Sequence, residues 1–216
     1  PLMQPRLKMI SFNLSASSLL DASFADEVAG QIEASSFEAT SFCFEIREAH
    51  ACRYPDEARR CADALRAAGC RIALDAAGVS GRTHNLIGDL GVSIVKLDES
   101  LVHDLADNPL QVIMVEAIHR MALLCEAVTV APFIEDDATL RKVRELGLHF
   151  GQGYRLTSPE LLDQLAPTPS PGNRGGLFRA RHYPAAPPYP SSSSRCAASR
   201  AASRTRAGAV PPTCAR

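Results

Sequence analysis

Residues 70–102 read CRIALDAAGVSGRTHNLIGDLGVSIVKLDESLV, two apolar runs that each stop at charged residues, with one amphipathic stretch between them. Arg71-Ile72-Ala73-Leu74 is a short buried strand ending at Asp75. Val92-Ser93-Ile94-Val95 is a second strand, ending at Lys96 and Asp98. Gly78 and Gly81 punctuate a turn, and Thr83 to Leu90 is long enough for a short helix. Strand, helix and strand in that order predict a parallel βαβ unit. Loops that follow the strands of such units share one rim, so the carboxylate of Asp75 and the ammonium of Lys96 are expected to meet there.

Working outward, the same unit recurs. Leu7 to Phe12 alternates as a strand ending at Asn13, with Ser15 or Ser17 as the cap of a turn before a helix from about Ala22 to Ile32. Ser41-Phe42-Cys43-Phe44 is a strand closed by Glu45, with Arg47 and Glu48 just beyond. A helix follows from Pro55 to Ala68, with Ala58, Cys61, Ala62 and Leu65 on one face and Gly69 as its stop. From Asn108-Pro109 a longer helix runs to about Leu124, its apolar stripe read as Ile113, Ala117, Met121 and Leu124. Ala127 to Ala131 is a strand ending at Pro132. Asp136 and Asp137 open a helix that Gly147 ends, Leu148-His149-Phe150 leads into Gln152-Gly153-Tyr154, and a last helix is expected at Pro159 to Leu165. His119 is read as a satisfied surface or partner-facing residue, and His149 as a strand-end residue.

About six strand-helix repeats, nearly all closed by a polar residue, predict an α/β fold of the TIM-like (β/α) barrel type. An open doubly wound sheet would show the same alternation, but it concentrates its functional residues at one switch point. The ordered part, residues 1–166, is short against the ~250 residues typical of a complete barrel. Part of the barrel is therefore expected before residue 1, or to be missing. From Pro167 onward the chain holds eight arginines and no Lys, Asp or Glu, leaving 15 basic against 24 acidic residues in the part before it. That acidic core argues against a nucleic-acid groove. Residues 167–216 also hold nine of the fifteen prolines and a four-serine run, a composition read as a disordered tail. A functional tail and an out-of-frame reading of a GC-rich gene both remain open. The segment shows no leader and no run long enough to span a membrane, so it reads as cytoplasmic. Cys43, Cys52, Cys61 and Cys70 recur every nine residues, and are read as reduced, mostly buried thiols rather than a metal or disulfide framework.

Taken in order, FNLS (12–15), FEIRE (44–48), LDAAG (74–78), VKLDES (95–100), VAPFIED (130–136) and FGQGY (150–154) resemble the motifs of the EAL-domain family, bacterial cyclic di-GMP phosphodiesterases. The resemblance covers about residues 8 to 166 and lacks the EAL motif itself. It implies metal ligands at Asn13, Glu45 and Asp75, a phosphate- or water-contacting lysine at Lys96, and a substrate contact at Gln152. It implies loop-holding roles for Glu48 and Glu135. Ala76 stands where the family has a second aspartate, Pro132 where it has a glutamate implicated in activating water, and Phe133 where it has a glycine; Phe133 is expected to fill space left by the lost carboxylates. The family hydrolyses cyclic di-GMP to pGpG with two divalent cations, Mg²⁺ or Mn²⁺, and productive binding of these is not expected here. The resemblance thus points to a degenerate, inactive domain serving as a regulatory or interaction module in cyclic di-GMP signalling. A weak phosphodiesterase within a longer protein, a cyclic di-GMP receptor without hydrolysis and a poorly folding gene remnant are the alternatives. A homodimer or another protein partner is also compatible with it.

Overall fold

The computed structural model describes residues 9–156 and the two-residue strand at 178–179. The chain divides into a unit over Pro1–His182 and a second over Tyr183–Arg216, the latter wholly outside the described residues. The expected helix at 159–165 and nearly all of the Pro/Ser/Ala/Arg-rich tail fall there too.

Strand β1 (Ile10–Leu14) leads through helices α1 (Ala16–Leu20) and α2 (Phe24–Glu33) to β2 (Phe42–Arg47). Helices α3 (Glu48–Arg53) and α4 (Pro55–Ala67) lead to β3 (Arg71–Ala77), then α5 (Thr83–Asp89) to β4 (Ile94–Leu97). Helices α6 (Glu99–Val102) and α7 (Pro109–Leu124) precede β5 (Val128–Ala131), and α8 (Asp137–Glu145) precedes β6 (Phe150–Gly151). The six strands lie parallel in chain order, and β7 (Phe178–Arg179) adds antiparallel to β6. Because each strand pairs with its predecessor, the order has no switch point, which is the winding of a TIM-like barrel and not of an open doubly wound sheet.

Local chemistry explains the element ends. Ser15 accepts from the Ser18 amide at the start of α1, Asn108 from Leu110 and Gln111 at the start of α7, and Asp136 from Thr139 at the start of α8. Pro55 and Pro109 occupy first-turn positions where no amide is needed. The strands run further than expected, however. Asn13 pairs with Glu45 and Arg47 with Asp75 inside the ladder, which continues to Leu14, Arg47 and Ala77, so the polar residues taken as strand stops lie one or two residues short of the strand ends. Backbone hydrogen bonding tolerates a polar side chain wherever its face opens to the rim.

Two apolar layers flank the sheet. Between sheet and helices lies the larger core, with Ile46, Leu65, Ile72, Leu74, Leu90 and Leu97 fully buried. On the other face Cys43, Ala73, Ile94, Val128 and Val130 form a separate cluster with Met9 and Phe150. Burial holds the Cys43 thiol up at about 11, helped by the Glu45 charge. Cys61 and Cys70 are likewise buried with raised thiols.

Helix α7 departs from the expected orientation. It buries Val115, Ile118, His119 and Ala122, while Ile113 is 62% and Leu124 86% exposed. The helix is apolar on two faces, and periodicity alone cannot choose between them. His119 is correspondingly no surface residue. Its Nδ1 lies 2.9 Å from Thr129 Oγ1, and the Thr129 amide donates to His149 Nδ1 at 3.0 Å.

Burial, and secondarily the neighbouring His149, push the His119 pKa down to about 4. The unfolded chain, with a histidine near 6.5, takes up a proton that the folded chain refuses between those values. Nothing is lost above pH 6.5, and stability falls as pH drops below it. Urea unfolding should show a loss of about 2 kcal/mol between pH 7 and pH 5 attributable to His119, and His119→Gln should flatten that part of the slope.

The loop after β3 is held by Glu48, which is 1% exposed. Its carboxylate accepts from the Gly78 amide at 2.6 Å, the Ser80 amide at 3.1 Å and Thr83 Oγ1 at 2.9 Å, and also from Ser80 Oγ. Removing it leaves the buried Thr83 hydroxyl and the half-buried Gly78 amide without their acceptor. Glu48→Ala should cost about 3 kcal/mol or more, and hydrogen exchange at Gly78 and Ser80 should accelerate well beyond the change in global stability.

Candidate active-site rim

The inner cluster dictates what stands at the top of the sheet. Side chains alternate along a strand, so two residues beyond Cys43, Ala73, Ile94 and Val130 come Glu45, Asp75, Lys96 and Pro132 on the same inward face. The parallel register sets Glu45 level with Ala73 and Ile94, and Asp75 one step higher opposite Arg47, so the three side chains meet diagonally across β2, β3 and β4.

Lys96 Nζ lies 2.6 Å from Glu45 Oε2 and 3.5 Å from Asp75 Oδ1, and Arg47 Nε lies 3.6 Å from the other Asp75 oxygen. The Glu45 side chain is 7% exposed and that of Lys96 19%. Burial works against the ammonium, but the hydrogen bond and charge of Glu45, with Asp75 behind them, outweigh it and hold the Lys96 pKa above its ordinary value. Two acids and two bases make a neutral chain of charge along the rim. Arg47 was not singled out as a site residue from sequence. Its position two residues after Glu45 is the signal that places it on the same face.

Asp98, the other charged residue after β4, caps α6, accepting from the Ser100 amide at 2.9 Å and the Ser100 hydroxyl at 2.6 Å. Asn13 stands at the exposed end of β1, in register with Glu45. Glu48 points away from the ion chain into the loop it holds. A cleft of about 280 Å³ opens beside that loop, lined by Arg47, Glu48, Ala49, Ala76, Val79, Ser80 and Asp98.

On the opposite side of the rim, the segment after β5 is stitched to the segment after β6. The Gln152 amide donates to Ala131 O at 2.9 Å, the Ile134 amide to Gln152 O at 3.0 Å, and the Arg155 amide to Ile134 O at 3.0 Å. Gly153 lies so close that a Cβ there would overlap the Ile134 backbone. Gln152 and Glu135 are both exposed, so the stitching is done by main chain and not by their side chains. Pro132 is buried, and Phe133 is 52% exposed with φ 54°. Phe133 therefore does not pack away in the room left by missing carboxylates. It stands in a left-handed conformation that suits glycine. Ala76, at φ 52°, is left-handed as well.

These residues do not fit a two-cation centre. Ala76 and Pro132 offer no side-chain oxygen, the better-placed carboxylate, Glu45, is engaged by an ammonium, and among the described residues no three His, Cys, Asp or Glu side chains converge. Hard cations require several oxygens within ~2.0–2.6 Å.

The family model of the EAL domain matches residues 2–159. The cyclic di-GMP phosphodiesterase PdeF of Escherichia coli strain K12 is 28% identical over 156 residues, covering 72% of this chain and 21% of its own length. The chain thus spans about a fifth of the length of that curated relative. Among solved structures, the FimX EAL domain of Pseudomonas aeruginosa bound to c-di-GMP is similar with a TM-score of 0.66 at 25% identity, over 70% of this chain and 62% of that one. The PaMucR phosphodiesterase in its c-di-GMP complex reaches a TM-score of 0.67 at 27% identity, over 73% and 64% of the two chains. With its parallel strands wound in sequence, its charged residues gathered at their carboxyl ends and a family match over most of its length, the chain belongs to the EAL domain family.

Proposed function

We propose that this EAL domain is catalytically inactive and serves as a regulatory or protein-interaction module in cyclic di-GMP signalling, on the cytoplasmic side. The observation that carries this reading is the pair Ala76 and Pro132. They stand on two strand ends where the family motif has acids, and neither side chain can bind a cation or accept a proton from water. Lys96 and Arg47 together balance Glu45 and Asp75, so each carboxylate facing the rim from β2 and β3 already has a cationic partner.

A second reading is a receptor that binds cyclic di-GMP without hydrolysing it. It is supported by the complexes of the FimX and PaMucR neighbours with c-di-GMP, and by the exposed Asn13 and Gln152 on opposite sides of the rim. In that reading Gln152 and Lys96 contact the ligand.

Incubation of the chain with cyclic di-GMP and Mg²⁺ or Mn²⁺, followed by anion-exchange chromatography, should give no linear pGpG above the protein-free blank. Product that disappears on Lys96→Met would overturn the inactive reading. Calorimetry of the same mixtures decides between the two roles: saturable heat without product makes the domain a receptor, and its absence in a cooperatively melting protein leaves protein interaction.

A further inference from the structure

We infer that the outer edge of β6 is a strand-docking edge, held by residues 178–179 of the chain's own tail as a placeholder that an extended peptide of like sequence would have to displace. β6 meets β5 on one side. Successive residues of a strand aim their backbone groups to alternate sides. The Gln152 amide donates to Ala131 O on the β5 side, so the N–H and C=O of Gly151 point the other way, outward from the six parallel strands. Such an edge recruits whatever strand can reach it, because unpaired main-chain groups are costly.

β7 meets that demand. It lies antiparallel, with Gly151 opposite Phe178 and Phe150 opposite Arg179. Gly151 and Phe178 are then the pair that exchanges both main-chain hydrogen bonds, whereas the Arg179 amide faces away from β6. The sequence of the tail accounts for the choice of segment. A docked strand needs amides, and proline has none. Nine prolines fall in residues 167–216, yet Gly172 to Tyr183, between Pro171 and Pro184, contains none and carries Leu177 and Phe178. The longer proline-free run, Ser191 to Val210, has no aromatic residue. Gly172 to Tyr183 also holds Arg174, Arg179 and Arg181 and no acid, while residues 1–166 carry 15 basic against 24 acidic residues. Opposite charge therefore draws this segment to the domain. The partner that fits the edge has the same chemistry: an extended, proline-free peptide of apolar and basic residues, bound through its main chain.

This inference goes beyond the functional reading and stands whether or not the rim binds or hydrolyses cyclic di-GMP. Hydrogen exchange at the Gly151 amide tests it on the full chain, on Phe178→Pro and Arg179→Pro, and on Ala201→Pro as a control. Phe178→Pro removes the amide that faces β6, and Gly151 should then exchange about tenfold faster or more. Arg179→Pro removes an amide that faces away, a position where an edge strand tolerates proline. Together with the control, it should leave the Gly151 rate within about twofold of the unaltered chain.

A fluorescein-labelled peptide of residues 174–182, RGGLFRARH, should bind Phe178→Pro saturably by anisotropy and restore protection at Gly151. It should bind the unaltered chain about tenfold more weakly or worse, because the tethered segment competes at high effective concentration. Equal Gly151 exchange in the unaltered and Phe178→Pro chains would overturn the inference. Acceleration by Arg179→Pro as large as that by Phe178→Pro would do the same, and so would a peptide that binds neither chain. Gly151 protection that fades when the unaltered chain is diluted would put the strand in a second copy and overturn the placeholder, however the variants fold.

Discussion

A carboxylate enclosed by protein must have a counter-charge, and in this domain that demand falls on Glu45. Its neighbours below are Cys43 and the inner apolar cluster, which offer none. The charge comes from Lys96, two strands away, and it reaches Glu45 because β2, β3 and β4 pair in parallel, with Glu45 level with Ala73 and Ile94. The contact therefore reports on the whole sheet. It ties the carboxyl ends of three strands together, draws in Asp75 between them and, through Asp75, Arg47. The carboxyl ends of these strands thereby form one connected chain of opposite charges.

The loops around those charges are held by hydrogen bonds to main chain. Glu48 gathers the amides of Gly78 and Ser80 and the hydroxyls of Ser80 and Thr83, so the turn after β3 is held in a fixed shape even though Ala76, at its start, carries no functional group. Across the rim, Gly153 presses against the Ile134 backbone, and main-chain hydrogen bonds join the segments after β5 and β6. Phe133 sits there in a left-handed conformation that costs a β-carbon roughly 1–2 kcal/mol. An aromatic residue held in a glycine's conformation, with half its surface in water, shows that the surrounding hydrogen bonds dictate the backbone. The side chain follows.

Much of this was legible in the chain before its structure. Apolar runs of four to six residues, each closed by charge and separated by helical periods, specify the strands and helices, because those periodicities arise from local backbone geometry. The order of motifs from FNLS to FGQGY, placed on consecutive strand ends, was enough to identify the family and to set Glu45, Asp75 and Lys96 on one rim. That Ala76 and Pro132 carry no side-chain oxygen was readable too, since a residue type is a chemical fact whatever its surroundings.

Tertiary structure alone decided three other matters. Helix α7 is apolar on two faces, and only packing against β5 and its neighbours put Val115, Ile118, His119 and Ala122 inside while leaving Ile113 and Leu124 out. Strand ends depend on inter-strand hydrogen bonding, so Asn13, Glu45 and Asp75 proved to be paired residues and not stops. Partner choice among charges depends on distances between elements: Lys96 stands one residue from Leu97 and two from Asp98 in the chain, yet its ammonium is held by Glu45 and Asp75, while Asp98 turns to cap a helix. Sequence carries the identities and periods, which are local. Which face is buried and which charges meet are properties of the assembled sheet, where pairing register sets separations that chain distance does not.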